Sequence, residues 1–208
     1  MSAKAKAIAL LLVMDVTLGA CAPEVRLPRL WEAPDFALIN QDSREVKLSD
    51  FRGEVVLMDF IYTSCPDVCG LLDYQMQRVW HQLDDGLKQD LVLISVSFDP
   101  EVDTPEVLRQ YATLFDVPGW QFLTGTLKQI HQVTDDYGLG YQISYEETAD
   151  EPDHKHGDSH GPARHYRHNI VVVLIDRDGM VRKTYGNDPA SEVEKTMIRD
   201  VTSVVGES

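Results

Sequence analysis

The stretch EVVLMDFIYTSCPDVC, residues 54–69, decides the fold. Its first nine residues are apolar except for Glu54 and Asp59, and the lack of polar alternation marks a strand buried on both faces, as in parallel sheets. Pro66 suits the first position of a helix, which makes Cys65 its N-cap and sets Asp67 in the first turn, where the helix dipole favours negative charge. Cys69, Leu72, Met76, Val79 and Leu83 then recur at helical spacing and form a stripe that faces the sheet. A buried strand running straight into a helix is half of a β-α-β unit.

The flanking sequence supplies the rest. Upstream, residues 36–40 and 45–48 bracket the turn 41–44, a hairpin pattern. Downstream, residues 91–98 are a second buried strand, and Thr104-Pro105 opens a helix whose apolar face is Val107, Leu108, Tyr111, Leu114 and Phe115. A short strand over 120–123 precedes a helix over 126–137. Residues 170–175 and 180–185 pair across Arg177-Asp178-Gly179, and a last helix covers 189–205. The order predicts an α/β chain of thioredoxin-like type over residues 35–208, a central mixed sheet flanked by helices with an N-terminal β-hairpin extension.

Composition sets the boundaries of function. The 208 residues carry 34 acids against 19 Lys and Arg, a formal net charge of -15, so a phosphate backbone would repel the chain and nucleic acid is excluded as a partner. Residues 1–20 read as a signal peptide, with Lys4 and Lys6 ahead of an apolar run over 7–14 that is too short for the roughly 20 residues of a membrane span. Leu18-Gly19-Ala20 before Cys21 resembles a lipobox, which predicts lipidation of Cys21 and an extracytoplasmic, membrane-anchored protein on the periplasmic side. Residues 21–34, with Pro23, Pro28 and Pro34, read as a tether.

The chemistry concentrates at two places. Cys65 and Cys69 stand at a strand-to-helix junction, where the helix N-terminus favours thiolate, and one helical turn separates two sulfurs that can hold one ion or oxidise to each other. A structural disulfide, or two small buried apolar residues, is the plain alternative. His168 sits just before a buried strand, where ligands gather outside the strand ends of α/β sheets. Two thiolates and an imidazole suit Cu(I) and also admit Cu(II) or zinc.

Phe60-Ile-Tyr-Thr-Ser-Cys-Pro-Asp-Val-Cys69, Ser97-Phe-Asp-Pro-Glu-Val-Asp-Thr-Pro105, Trp120-Gln-Phe-Leu-Thr-Gly125 and His168 ahead of Leu174-Ile-Asp176 resemble the Sco (SenC/PrrC) copper-chaperone family, over about residues 35–200. The resemblance implies a thioredoxin-like fold, copper held by Cys65, Cys69 and His168, and help in loading the dinuclear copper centre of cytochrome c oxidase, whose copper-centre subunit or another copper-transfer protein would be the partner. Two positions depart from the family pattern. Gly70 replaces the usual proline after the second cysteine, and Arg167-His168-Asn169 replaces the common Asp-His-Ser/Thr.

The resemblance leaves a tract unexplained. His154, His156, His160 and His165 lie among acids just ahead of His168, either an auxiliary metal-collecting loop or a solvated insertion. His81 and His131 fall within helices, while Asp99 and Asp103 either orient the site loop or simply cap the helix after it. Two other functions use the same sulfurs: a thiol-disulfide oxidoreductase in which Cys65 attacks and Cys69 resolves, and a redox or copper sensor. Metal binding needs His168, whereas disulfide exchange does not.

Overall fold

The computed structural model describes residues 26–64, 69–145, 164–186 and 190–207, and within them the apolar run 55–61 is buried at every position. The strands are β1 (Trp31–Glu32), β2 (Ala37–Asn40), β3 (Glu45–Lys47), β4 (Val55–Ile61), β5 (Leu91–Ser97), β6 (Gln121–Thr124), β7 (Tyr141–Tyr145), β8 (Arg164–His168), β9 (Val172–Ile175) and β10 (Met180–Tyr185). The helices are α1 (Cys69–Gln82), α2 (Asp85–Lys88), α3 (Pro105–Ala112), α4 (Leu127–Asp136) and α5 (Ala190–Val205). Among them, no helix is long and apolar enough to cross a membrane.

Eight strands form one sheet in the order β1-β10-β9-β4-β5-β6-β2-β3. The central three, β4, β5 and β6, are parallel, and β9 and β2 close against them antiparallel. The sheet is therefore mixed, and the hairpin β2–β3 extends one edge as the sequence predicts, in the register Leu38 to Val46.

Alternation along β4 divides the core in two. Val56, Met58 and Phe60 face a layer with Ile130 and Val133 of α4. Val55, Leu57 and Ile61 face the opposite layer, made by Leu72, Met76 and Val79 of α1, Leu108 of α3 and Met197 and Val201 of α5. The helical stripe predicted for α1 is buried from Leu72 to Leu83. Capping follows the sequence too: the side chains of Thr104 and Thr126 accept from the backbone N–H of Val107 and Gln129. Gly179, at φ 76° in the β9–β10 turn, occupies backbone that a side chain would strain.

Two expectations are corrected, and one element is added to them. Leu114 is 59% exposed and outside the apolar face, because α3 ends at Ala112 and the Thr113 hydroxyl donates to the Gln110 carbonyl, which turns the chain. The segment read as a tether docks from Leu27 onward. Leu30 N–H donates to Val181, β1 pairs with β10, and Ala33 is buried. The anchor of this segment is Arg182, itself only 5% exposed, which donates to the Leu27 and Pro28 carbonyls, to Asp176 and in two contacts to Glu207. Finally, β7 and β8 form a separate two-stranded ribbon, Tyr141 opposite His168, that composition did not reveal.

One polar pair interrupts the apolar layer between β4 and α1. Asp59 and Asp73 are both fully buried. Burial pushes Asp59 well above the carboxylate range, reinforced by Asp73, and pushes Asp73 up to about 7 against the hydrogen bonds from Tyr111 and Ser95. The folded state thus holds protons that the unfolded chain releases near pH 3.8, so stability falls as pH rises from about 4 to about 7.

Two stability measurements check these readings. Arg182→Met, which strands Asp176, Glu207 and two carbonyls, is expected to cost about 3 kcal/mol in urea unfolding and to open residues 26–33 to proteolysis. Asp73→Asn is expected to raise the urea midpoint above wild type at pH 8 and to leave it almost unchanged at pH 4. Parallel midpoints across that range would contradict the buried-acid account.

Candidate metal centre

The site is built at the carboxyl ends of the parallel strands, where β4 delivers Tyr62 and β5 delivers Phe98. The two rings pack at 5.1 Å, and Phe98 N–H donates to the Ile61 carbonyl, which ties the strand ends together. His168 enters from the end of β8 and lies against both: its ring is 5.9 Å from Tyr62, edge-on, and 5.0 Å from Phe98. Tyr141, its partner across the ribbon, packs on Phe98 at 5.3 Å. The imidazole therefore stands in an aromatic wall directly beside the point where β4 ends.

The histidine is oriented as well as located. His168 Nδ1 is 3.0 Å from the Asn169 carbonyl oxygen, which can only accept, so in the neutral ring this contact calls for the tautomer protonated on Nδ1, the one whose Nε2 would serve a metal. Asn169 in turn clamps the turn before β7. Its N–H donates to the Gly140 carbonyl, its Oδ1 accepts from Gly140 N–H at 2.7 Å and its Nδ2 donates to the Gly138 carbonyl at 3.1 Å. Gly138, at φ 73°, lets the chain make that turn. The residue that departs from the common pattern thus holds the histidine's backbone.

The loop that leaves β4 is held by a buried acid. Asp103 accepts from both the N–H and the hydroxyl of Thr63 and from the hydroxyl of Ser97, and burial raises its carboxyl above the ordinary range against those bonds. Asp99 lies one step behind, its N–H donating to Ser97 Oγ and its carbonyl accepting from Asp103 N–H. Of the two roles open to Asp103 in the sequence, the structure shows contacts with the site loop, while Thr104 does the capping.

From Tyr62, Cys65 is three residues on, a reach of roughly 11 Å at full extension. Cys65 itself, with the cap assigned to it, lies outside the described residues, as do Cys21, His154, His156 and His160. The backbone of Cys69 opens α1 and that of His165 lies in β8 opposite Ser144, but their side chains are outside what is described. His81 and His131 lie on exposed helix faces. Among the described residues no three metal-ligating side chains gather, and His168 is the one member of the predicted set with a described side chain.

Sequence reasoning overlooked the aromatic wall and the acid pair. The first had no local signal, since Tyr62, Phe98 and Tyr141 come from three separate strands or strand ends. The second had one, a lone Asp59 inside an otherwise apolar strand.

Comparison with known proteins agrees with this architecture. The family model described as SCO1/SenC matches residues 28–206. The SCO1 protein homologue of Bacillus subtilis is 35% identical over 111 residues, covering 52% of this chain, and the chain spans 57% of that relative's length. The structure of Bradyrhizobium japonicum ScoI with copper bound is 25% identical at a TM-score of 0.62, covering 81% of this chain and 98% of that one. That of BsSco, a member of the Sco family of cytochrome c oxidase assembly proteins in which a disulfide switch was identified, is 26% identical at a TM-score of 0.60, covering 88% and 99%. The fold is thioredoxin-like, and this chain belongs to the SCO1/SenC family.

Proposed function

We propose that this chain is a copper metallochaperone acting in cytochrome c oxidase assembly, in which Cys65, Cys69 and His168 grip Cu(I), and with a lower preference Cu(II), for transfer to an acceptor protein. The observation that carries the reading is His168, held against Tyr62 and Phe98 at the end of the strand from which the Cys65–Cys69 loop departs, with its Nδ1 3.0 Å from the Asn169 carbonyl oxygen. Relatives with copper bound and with a role in oxidase assembly point the same way. The copper is cargo. Thiolates at the start of α1 are favoured by the helix dipole, soft sulfur selects Cu(I), and a three-ligand site leaves the ion open to attack by an acceptor's ligands.

Lipidated Cys21 would hold the domain on the extracytoplasmic side, with 21 and its neighbours as the link. The turn 176–179 lies at the amino end of β4, since Val56 is opposite Ile175, whereas the site lies at the carboxyl end. The docked segment after Leu27 therefore leaves from the pole opposite the site. His154, His156 and His160 are the candidates for an auxiliary copper-collecting loop, and their joint replacement would then lower copper stoichiometry below wild type.

A second reading, thiol-disulfide exchange by Cys65 and Cys69, uses the same loop and finds support in the disulfide switch of BsSco. Competition with a Cu(I) chelator separates the two. Cys65→Ser and Cys69→Ser are expected to weaken copper retention by about 100-fold or more, beyond the roughly 10- to 100-fold that supporting residues around a metal are worth. His168→Ala is expected to lose copper affinity while dithiol exchange stays within about twofold of wild type. Unchanged copper retention in His168→Ala would remove the chaperone reading and leave the exchange reading standing.

A further inference from the structure

The sheet edge at the pole opposite the site carries apolar surface that neither the fold nor the copper reading uses. β1 is the outermost strand, and Leu30 just before it and Trp31 within it are 44% and 46% exposed. Leu30 N–H donates to the Val181 carbonyl and Trp31 lies opposite Val181, so backbone pairing holds both residues at the edge. A further strand finds little to pair with here. β1 is two residues long, Pro28 and Pro34 flank it, and Arg29 and Glu32 stand exposed on either side of the apolar pair.

Charge along this edge is paired within the protein. Glu32 lies against Arg52, Asp178 against Arg29, Asp90 against Arg177, and Asp176 and Glu207 against Arg182. Arg26, exposed, adds a cation at the start of the segment. A chain of net charge -15 is repelled as a whole by anionic headgroups, and matching these acids with arginines lowers that barrier locally.

The chain leading into the edge selects what covers it. Cys21 precedes Arg26 by five residues, roughly 18 Å at full extension. With lipid on Cys21, as proposed above, the docked segment begins within that distance of the lipidated residue, and the nearest partner for Leu30 and Trp31 is the bilayer itself. A tryptophan suits such a boundary, with an apolar ring and one N–H for the headgroup layer, and an arginine beside it lays its stem on apolar surface while its guanidinium reaches phosphate.

We infer that the edge formed by Leu30 and Trp31 rests in the lipid interface, with Arg26 and Arg29 among the headgroups. The inference rests on lipidation of Cys21 and adds an orientation that a tether alone does not impose. β4 lies three strand spacings, roughly 14 Å, in from β1, and its far end is seven residues, roughly 23 Å, further along. The Cys65–Cys69 loop and His168 therefore clear the lipid and stay open to an acceptor.

The test uses the full chain as the cell processes it, taken from membranes, checked by mass spectrometry for lipid on Cys21, and reconstituted into vesicles of phosphatidylcholine and phosphatidylglycerol with bromine on the acyl chains. Wild type is expected to lose tryptophan emission relative to vesicles without bromine. Trp31→Phe is expected to remove the larger part of that loss, since Trp120 is buried and Trp80 is half-buried on α1 beneath Lys88. Leu127→Trp in the Trp31→Phe chain, which puts an indole at an exposed position where α4 begins, beyond the carboxyl end of β6, is expected to restore no quenching. Circular dichroism confirms the fold of each variant. Equal quenching in wild type and Trp31→Phe on a lipidated chain, or quenching at residue 127, overturns the inference and leaves the anchor standing. A dimer in detergent that Trp31→Gln dissolves means that a second copy covers the edge, and overturns it too. A Cys21 without lipid overturns the anchor and the inference together, while the copper reading is decided separately at His168.

Discussion

The contact on which the site depends is the packing of the His168 ring against Tyr62 and Phe98 at the carboxyl ends of two parallel strands. Parallel pairing of β4 and β5, in register from Val55 with Leu91 to Ile61 with Ser97, puts both ring-bearing ends at the same height. The ribbon β7–β8 then carries an imidazole from far along the chain to that edge. Buried apolar strands thus fix one end of a cysteine loop and a distant histidine in a common frame, with no polar contact between them needed.

Polar groups refine this frame from beneath. Asp103 holds Thr63, Asn169 holds the turn that supports His168, and Asp59 of β4 and Asp73 of α1 are both fully buried. Each of these groups is an acid or amide spent on backbone, on hydroxyls or on a neighbouring acid, in a chain that already carries a charge of -15. Burying such charge is costly, and in the acid pair the cost is met by protonation instead of by a cation. At the opposite pole the solution differs: Arg182 neutralises Asp176 and Glu207 and fastens the entering segment to the sheet.

Much of this was legible in the sequence. The unbroken apolar run into Cys65, the Thr104-Pro105 and Thr126 caps and the stripe from Leu72 to Leu83 identify the central β-α-β units, because period and capping are local properties. The ribbon was not legible: RHYRH in β8 has no apolar period, and its partner YQISY lies some twenty residues away. Docking of Leu27 to Ala33 was equally hidden, since three prolines suggest an open tether and the deciding partner, Arg182, lies more than 150 residues on. Residue type and resemblance identify the candidate ligands, whereas His168 is positioned by Asn169 and two aromatic rings that no spacing rule connects.

The central claim is that two sulfurs and one imidazole nitrogen meet at a single copper. X-ray absorption at the copper edge, on the reduced chain loaded with one equivalent of Cu(I), counts those neighbours directly. The account predicts two sulfur scatterers and one nitrogen with the outer-shell pattern of an imidazole, the nitrogen lost in His168→Ala. A copper surrounded by nitrogen and oxygen alone, or by sulfur with no imidazole signature, would contradict it.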